Sequence, residues 1–362
     1  MYLHPSVPPT LCKILLDESP NCHLAPIATW ADKFKYRMLW SAPLHYVGAI
    51  DDYPPNDCAF PGPNGWSGTK EINVLDGIKN VTGLLADWVH QDASDEIANE
   101  ALKFLVHFLG DMHQPLHLTG RNRGGNLAKV MWDGRLTSKL LFLFFDLRFF
   151  QTAHYFISDL HSLWDGYLIA KAVRTVPPKY SRPLPYSAIE NALRGTIYDS
   201  YIRRIMWEGP LDKWADEIND WLSCSSPMPE SSAIVEPAES TWQKVLSGLS
   251  SFNALFKEHG VEINPDGDVV CPYFWSQPLN ALNCDIVWPK LMTLKESGGG
   301  NESSLDSETE ELELDTPEYA GVIEKRMLLE KLLAQGGVRL AGLLNYLFAD
   351  QKSTRSAFVM DL

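Results

Sequence analysis

Phe104-Leu-Val-His-Phe-Leu-Gly-Asp-Met-His-Gln-Pro-Leu-His117 is the stretch on which the reading of this chain turns. Residues four apart share one helix face, so His107 and Asp111 project together and can grip one ion. Pro115 ends a helix at that point, which frees His117 to turn toward a second ion. Imidazole nitrogen with carboxylate oxygen suits zinc, and the apolar residues between them form a back wall.

Outward from that run the pattern stays helical. Apolar positions recur at three- and four-residue spacing over Asn73 to Trp88 and Ser94 to Gly110, and again over 187–206 and 211–223. Residues 51–68, dense in Pro and Gly, read as loop. Pro317 to Ala349 forms the last amphipathic element, with a kink expected at Gly336-Gly337. A Pro- and Ser-rich stretch breaks the pattern at 226–240, and an acidic loop at 295–316 has the composition of disorder. The expected fold class is mainly α, one helical domain over 1–362 with long loops and disulfides. Segment 139–157 stands apart as an atypical apolar insertion. It is rich in Phe, lacks helical or strand periodicity, and reads as foreign to the domain, such as an intron taken as coding. No run is apolar enough for a spanning helix, so no membrane association is expected.

The net charge is −15, which speaks against a broad basic nucleic-acid-binding surface. Nine of the acids fall within 296–318, however, and a metal-filled cleft attracts phosphate locally. Six cysteines are present and none forms a Cys-x-x-Cys pair. Cys12 with Cys22 and Cys271 with Cys284 are each placed to close a short loop, which leaves Cys58 and Cys224 for a long-range bridge. Sequons at Asn80 and Asn301 fit a secreted glycoprotein. The opening Met-Tyr-Leu-His-Pro carries no visible signal peptide, in tension with that chemistry.

A lone His-x-x-x-Asp arises easily by chance, and a single buried His on an apolar helix is ordinarily a core residue. The second pair, His161 and Asp165 in Leu-His-Ser-Leu-Trp-Asp, changes the balance. Asp32 in Ala-Thr-Trp-Ala-Asp and His45 in Pro-Leu-His-Tyr would alone pass for cap or loop residues. His113 points off the face of His107 and Asp111, as a supporting or surface residue.

Taken together, Trp-Ala-Asp, Pro-Leu-His-Tyr, Val-His-Phe-Leu-Gly-Asp-Met-His-Gln-Pro-Leu-His, Gly-Gly-Asn and Leu-His-Ser-Leu-Trp-Asp occur in the order of a known family. The chain resembles the secreted zinc-dependent single-strand-specific nucleases of fungi and plants, relatives of zinc-dependent phospholipase C. The resemblance runs from Cys12 to about Asp350 and implies a helical fold with three zinc ions at the bottom of a cleft. It implies that Asp32, His45, His107 and Asp111 hold one zinc and that His117, His161 and Asp165 hold a second. Asp111 would bridge to a third, and Asp32 and Asp111 would serve the chemistry directly. The implied reaction is hydrolysis of single-stranded DNA and RNA to 5′-phosphates by zinc-activated water, with removal of 3′-phosphates from nucleotides. Tyr46 matches a base-stacking position, Asn126 a base-contacting one, and Lys35 a cation facing phosphate. Gly48 stands where relatives commonly carry an Asp.

The resemblance also implies that an N-terminal Trp and a nearby His complete the third zinc site. This chain begins instead with what reads as the interior of the family's first helical region. The expectation is therefore a domain start upstream of Met1, and His4 is not a substitute ligand. Two competing readings remain. One is a phospholipase C-like enzyme, for which relatives typically end the last motif with Glu where this chain has Asp165. The other is a catalytically impaired zinc-binding protein. No protein partner is implied, and a monomer is expected.

Overall fold

The computed structural model describes residues 2–16, 22–133, 158–224, 266–267, 269–289 and 312–349. At its centre lies an antiparallel hairpin of two long helices, α3 (Val74–Val89) and α4 (Asp95–Met112). Each begins on the cap that its sequence supplies. Asn73 Oδ1 accepts from the backbone N–H groups of Leu75 at 2.9 Å and Asp76 at 3.1 Å. Ser94 Oγ accepts from Ile97 N–H, with Asp95 and Glu96 in the first turn to complement the helix dipole. Ile78, Leu85, Leu102, Leu105 and Phe108 fill the core between the two helices. Burying such side chains contributes about 1.5–3 kcal/mol each.

Around this hairpin pack α1 (Val7–Leu15), the short α2 (Trp30–Phe34) and the long C-terminal α12 (Leu328–Phe348). A helical layer at one end consists of α5 (Leu160–Ser162), α6 (Leu168–Arg174), α7 (Ser187–Glu190), α8 (Asp199–Glu208) and α9 (Ile218–Leu222). There the expected helices at 187–206 and 211–223 are shorter, broken by turns around Gly195 and by a wide turn over Gly209–Lys213. Two further helices are α10 (Pro272–Leu282) and α11 (Ala320–Arg326). A small sheet joins β1 (Lys129–Met131), antiparallel to β2 (Ser158–Asp159) and parallel to β3 (Leu312–Glu313). The fold is helical, as the spacing predicts, and no helix among the described residues is long and apolar enough to cross a membrane.

Three expectations are corrected. The bridges are Cys12–Cys22, Cys58–Cys284 and Cys224–Cys271, so only the first short-loop pairing stands. Cys284 follows α10, which packs against the turn carrying His117, and that places it beside the loop of Cys58 rather than Cys271. The C-terminal element breaks at Met327, which takes a left-handed φ of 53°, and α12 runs straight through Gly336-Gly337. Gly336 packs beside His113, and a Cβ there would make ordinary contact with the ring at 3.4 Å. Finally, Leu312 and Glu313, inside the stretch expected to be disordered, form β3.

Insertion 139–157, the stretch 226–240, Asn301 and the rest of the acidic loop to residue 311 lie outside the described residues. Asn80 is half-buried on α3, and Thr82 of its sequon is buried, with its hydroxyl donating to Ile78 O at 2.7 Å.

Candidate metal centre

Five segments of the chain deliver the predicted side chains to one cleft of about 1270 Å³. Asp32 comes from α2 and His45 from the end of a tight helical turn, Leu39–His45. His107 and Asp111 lie one turn apart on α4. Met112 ends that helix, and His117 follows on the turn Pro115–Leu118. His161 and Asp165 also sit one turn apart, where the short α5 opens into a wide turn over Leu163–Tyr167.

The side chains fall into two groups whose ligand-type atoms all lie within 4.8 Å of one another. One comprises Asp32, His45 and His107, and the other His117, His161 and Asp165. Asp111 stands between them. Its Oδ2 is 2.9 Å from His45 Nδ1 and 3.2 Å from His107 Nε2, while its Oδ1 faces His117 Nδ1 at 3.6 Å. His107 Nε2 is also 3.0 Å from His45 Nδ1 and 3.8 Å from Asp32 Oδ2. In the other group His161 Nε2 lies 3.2 Å from Asp165 Oδ2, and the rings of His117 and His161 stack at 4.9 Å.

Backbone carbonyls set which ring nitrogens face the cleft. A carbonyl can only accept, so Nδ1–H of His107 donates to Ala28 O at 2.6 Å, that of His117 to His45 O at 2.7 Å, and that of His161 to Gly124 O at 2.7 Å. In each ring this leaves the Nε2 lone pair free to bind a cation, the arrangement typical of metal-binding imidazoles. Gly124 earns its place here. With φ +62°, its backbone bends to present that carbonyl, and a Cβ would lie 2.6 Å from Leu116 O. His45 is arranged the other way. Its Nδ1 faces Asp111, and its Nε2 is buried with no hydrogen-bond partner among the described residues. Imidazole lone pairs converging with three carboxylates are costly to bury together unless a cation sits among them. The donor set therefore fits divalent metal, and its nitrogen–oxygen composition fits zinc.

The protonation directions express the same convergence. Burial pushes His107 toward neutrality, but the Asp111 carboxylate outweighs it and holds the ring up at about 9. Burial raises Asp111, while His117, His107 and His45 together bring it below the ordinary carboxylate range. For His161, burial is again outweighed by its carboxylate neighbour, Asp165, so the ring is raised. Asp165 is lowered, its own burial outweighed by His161 and Gln114.

Lys35, Tyr46 and Asn126 all line the same cleft. Lys35 Nζ lies 3.4 Å from Asp32 Oδ1, Tyr46 is 53% exposed, and Asn126 Nδ2 donates to Arg123 O. His113 does not join the cluster. It is buried behind it, with Nδ1–H donating to Leu109 O at 2.6 Å and Nε2 accepting from Arg339 at 2.7 Å. His4 pairs with Ser6 and Asn345, and it does not line the cleft. Sequence reasoning missed Gln114, whose amide N–H holds Asp165 Oδ1 at 2.9 Å. It also missed Arg123, Tyr36 and Leu39, all exposed on the cleft wall. Gln114 was recoverable from its place in the quoted run, immediately before Pro115. Tyr36 and Leu39 carry no local signal.

The family model of the S1/P1 nucleases matches residues 1–245. The chain belongs to the S1/P1 nuclease family. Endonuclease 2 of Arabidopsis thaliana is 31% identical over 219 residues, which cover 59% of this chain and 60% of the plant protein. Nuclease P1 of Penicillium citrinum is 29% identical over 62% of this chain and 76% of its own length. Nuclease S1 of Aspergillus oryzae is 25% identical over 70% and 81%. The chain thus spans less than two thirds of the plant relative that it matches. All seven predicted His and Asp positions fall within the span matched by the family model.

Proposed function

We propose that this S1/P1 family member is a secreted zinc-dependent nuclease that hydrolyses single-stranded DNA and RNA to 5′-phosphates and removes 3′-phosphates from nucleotides. The observation that carries this reading is the pair of His/Asp groups on one cleft, joined by Asp111. Asp32, His45, His107 and Asp111 would hold zinc in the first group, and His117, His161 and Asp165 in the second. When bound, zinc makes water acidic enough to attack near neutrality and offsets the charge of the phosphate.

The chain's own residues set the geometry of that chemistry. Asp111 directs one oxygen to each group and so ties their positions together. The three carbonyl-anchored histidines keep fixed tautomers and ring orientations. Gln114 aligns Asp165. Lys35 and Arg123 are the lysine and arginine of the cleft wall, placed to meet backbone phosphates of an otherwise acidic protein. Tyr46, Tyr36 and Leu39 give exposed apolar faces on which bases stack without sequence preference. Single strands suit such a wall because their bases are free to splay onto it.

The test combines metal analysis with hydrolysis of single-stranded DNA, duplex DNA and phosphatidylcholine by protein secreted with its disulfides formed. Bound zinc with a strong preference for the single strand is expected. His107→Ala should lose both metal and at least about 10³ of the rate, the scale on which metal-centred catalysis depends on its ligands. Faster cleavage of phosphatidylcholine would instead establish a phospholipase, and fewer than three bound zinc ions without hydrolysis a catalytically impaired zinc-binding protein.

A further inference from the structure

The metal cleft meets α12 along its first half, at Leu329, Leu332 and Gly336. A second cavity, of about 860 Å³, opens against the last part of the same helix. Its walls are mostly apolar, with Trp88, Leu222, Trp275, Leu343, Leu347 and Phe348 among them, beside polar groups such as Asn219 and Asn345. A cation is buried in this lining. Arg339 is 4% exposed; its Nε–H donates to Trp221 O at 2.9 Å, and one terminal N–H donates to His113 Nε2 at 2.7 Å. The guanidinium also lies over the Trp275 ring, 5.3 Å from its centre.

A guanidinium carries five N–H donors. Among the described residues the remaining donors of Arg339 find no acceptor, and no carboxylate lies within ion-pair reach. A buried charge without a counter-ion is costly. Burial lowers the group to about 9, so it stays cationic at neutral pH. Lys13, with its ammonium 5.1 Å from the Trp88 ring centre, adds a second positive charge to the lining. Asp95 is the one acid among the described lining residues, and its Oδ1 accepts from Trp88 Nε1 at 2.7 Å.

We infer that this cavity is a binding site for an organic carboxylate with an apolar body, the carboxylate paired with Arg339 and the body lying along the Trp88–Phe348 wall. Charge complementarity selects this ligand. A neutral apolar molecule would leave Arg339 unpaired, and a cation would add repulsion to it. The volume falls within the range of small-molecule sites. Nothing in this inference depends on the nuclease reading.

Isothermal titration of the full chain with decanoate, 1-decanol and acetate tests it, with inorganic phosphate present to occupy the metal cleft. Decanoate should bind saturably at one site, at least about tenfold tighter than decanol, the worth of a charge-assisted pair. Acetate should not bind measurably. Arg339→Met should abolish the preference for decanoate over decanol. Because that change also breaks the bonds to Trp221 and His113, Lys13→Glu serves as the second variant, with thermal melting to show that it is folded. It should weaken decanoate about threefold or more while leaving decanol unchanged. Equal affinity for decanoate and decanol, absence of saturable binding, or a decanoate affinity unmoved in folded Lys13→Glu would overturn the assignment.

Discussion

Replacing Asp52 with Asn should stabilise the protein at pH 8 and leave it nearly unchanged at pH 4. Asp52 is 4% exposed, and neither of its carboxylate oxygens has a hydrogen bond of normal geometry. Thr119 and Asn280 lie against it and moderate the effect, but the Asn280 amide already donates to Leu118 O at 2.9 Å. Burial is the dominant influence and raises the carboxyl from 3.8 to about 6. At 1.36 kcal/mol per pKa unit, a shift of about two units makes the ionised carboxylate cost on the order of 3 kcal/mol in the folded state. The sign follows from proton counting. Between pH 4 and 6 the folded state holds more of this proton than the unfolded state, so stability falls as pH rises through that window. The amide has no proton to lose, and Asp52→Asn escapes the fall.

Urea unfolding with disulfides intact and zinc held constant, at pH 4, 5, 6, 7 and 8, measures the difference directly. The rest of the chain is common to both proteins, so its contribution cancels between them. The variant's advantage should open across pH 4 to 6 and level off at about 2–3 kcal/mol above pH 7. A difference that stays flat with pH, or a variant less stable than wild type at pH 8, would show that Asp52 is not a buried, unpaired carboxylate.

Gln114→Ala should weaken zinc binding at the group of His117, His161 and Asp165 by about 10–100-fold, read by competition with a chelator, because it frees Asp165 Oδ1. Equal zinc affinity in the two proteins would assign Gln114 only the role of capping Leu116. Removing the Cys58–Cys284 bridge by a double Ala substitution opens a loop of 226 residues in sequence separation. Loop entropy places the loss at the upper end of the disulfide range, about 4–5 kcal/mol, and a melting temperature that does not move would refute this. Gly48→Asp should destabilise by several kcal/mol and install no base preference, since its Cβ would lie 2.9 Å from Gly120 Cα and Ser67 Oγ. A stable variant with altered base preference by mononucleotide hydrolysis would contradict the steric account.

What the sequence reveals here divides by distance along the chain. The face shared by His107 and Asp111, the caps of α3 and α4, and the release of His117 after Pro115 are set within a few residues, and helical periodicity makes them readable. The bridges of Cys58 and Cys224 were misread because sequence proximity stood in for spatial proximity. Cys271 lies 13 positions from Cys284 yet pairs with Cys224 across a separation of 47. The helix break was misplaced for a related reason. Gly336-Gly337 looks like a kink to any local rule, but α12 continues through both residues, with Gly336 packed beside the His113 ring. Met327, where the chain turns, carries no breaker signal at all.

The same division runs through the cleft itself. Every candidate ligand was recognisable by residue type and order, yet what makes three of the histidines competent is invisible in their own neighbourhoods. His107 depends on the carbonyl of Ala28, His117 on that of His45, and His161 on that of Gly124, partners 79, 72 and 37 positions away. Those carbonyls belong to loops whose course is set by the packing of α2, by the turn Leu39–His45 and by the left-handed Gly124. A change in any of these loops that leaves all seven His and Asp residues in place would still rotate an imidazole or switch its tautomer. The loops are therefore as much a part of the candidate metal centre as the side chains that the sequence displays.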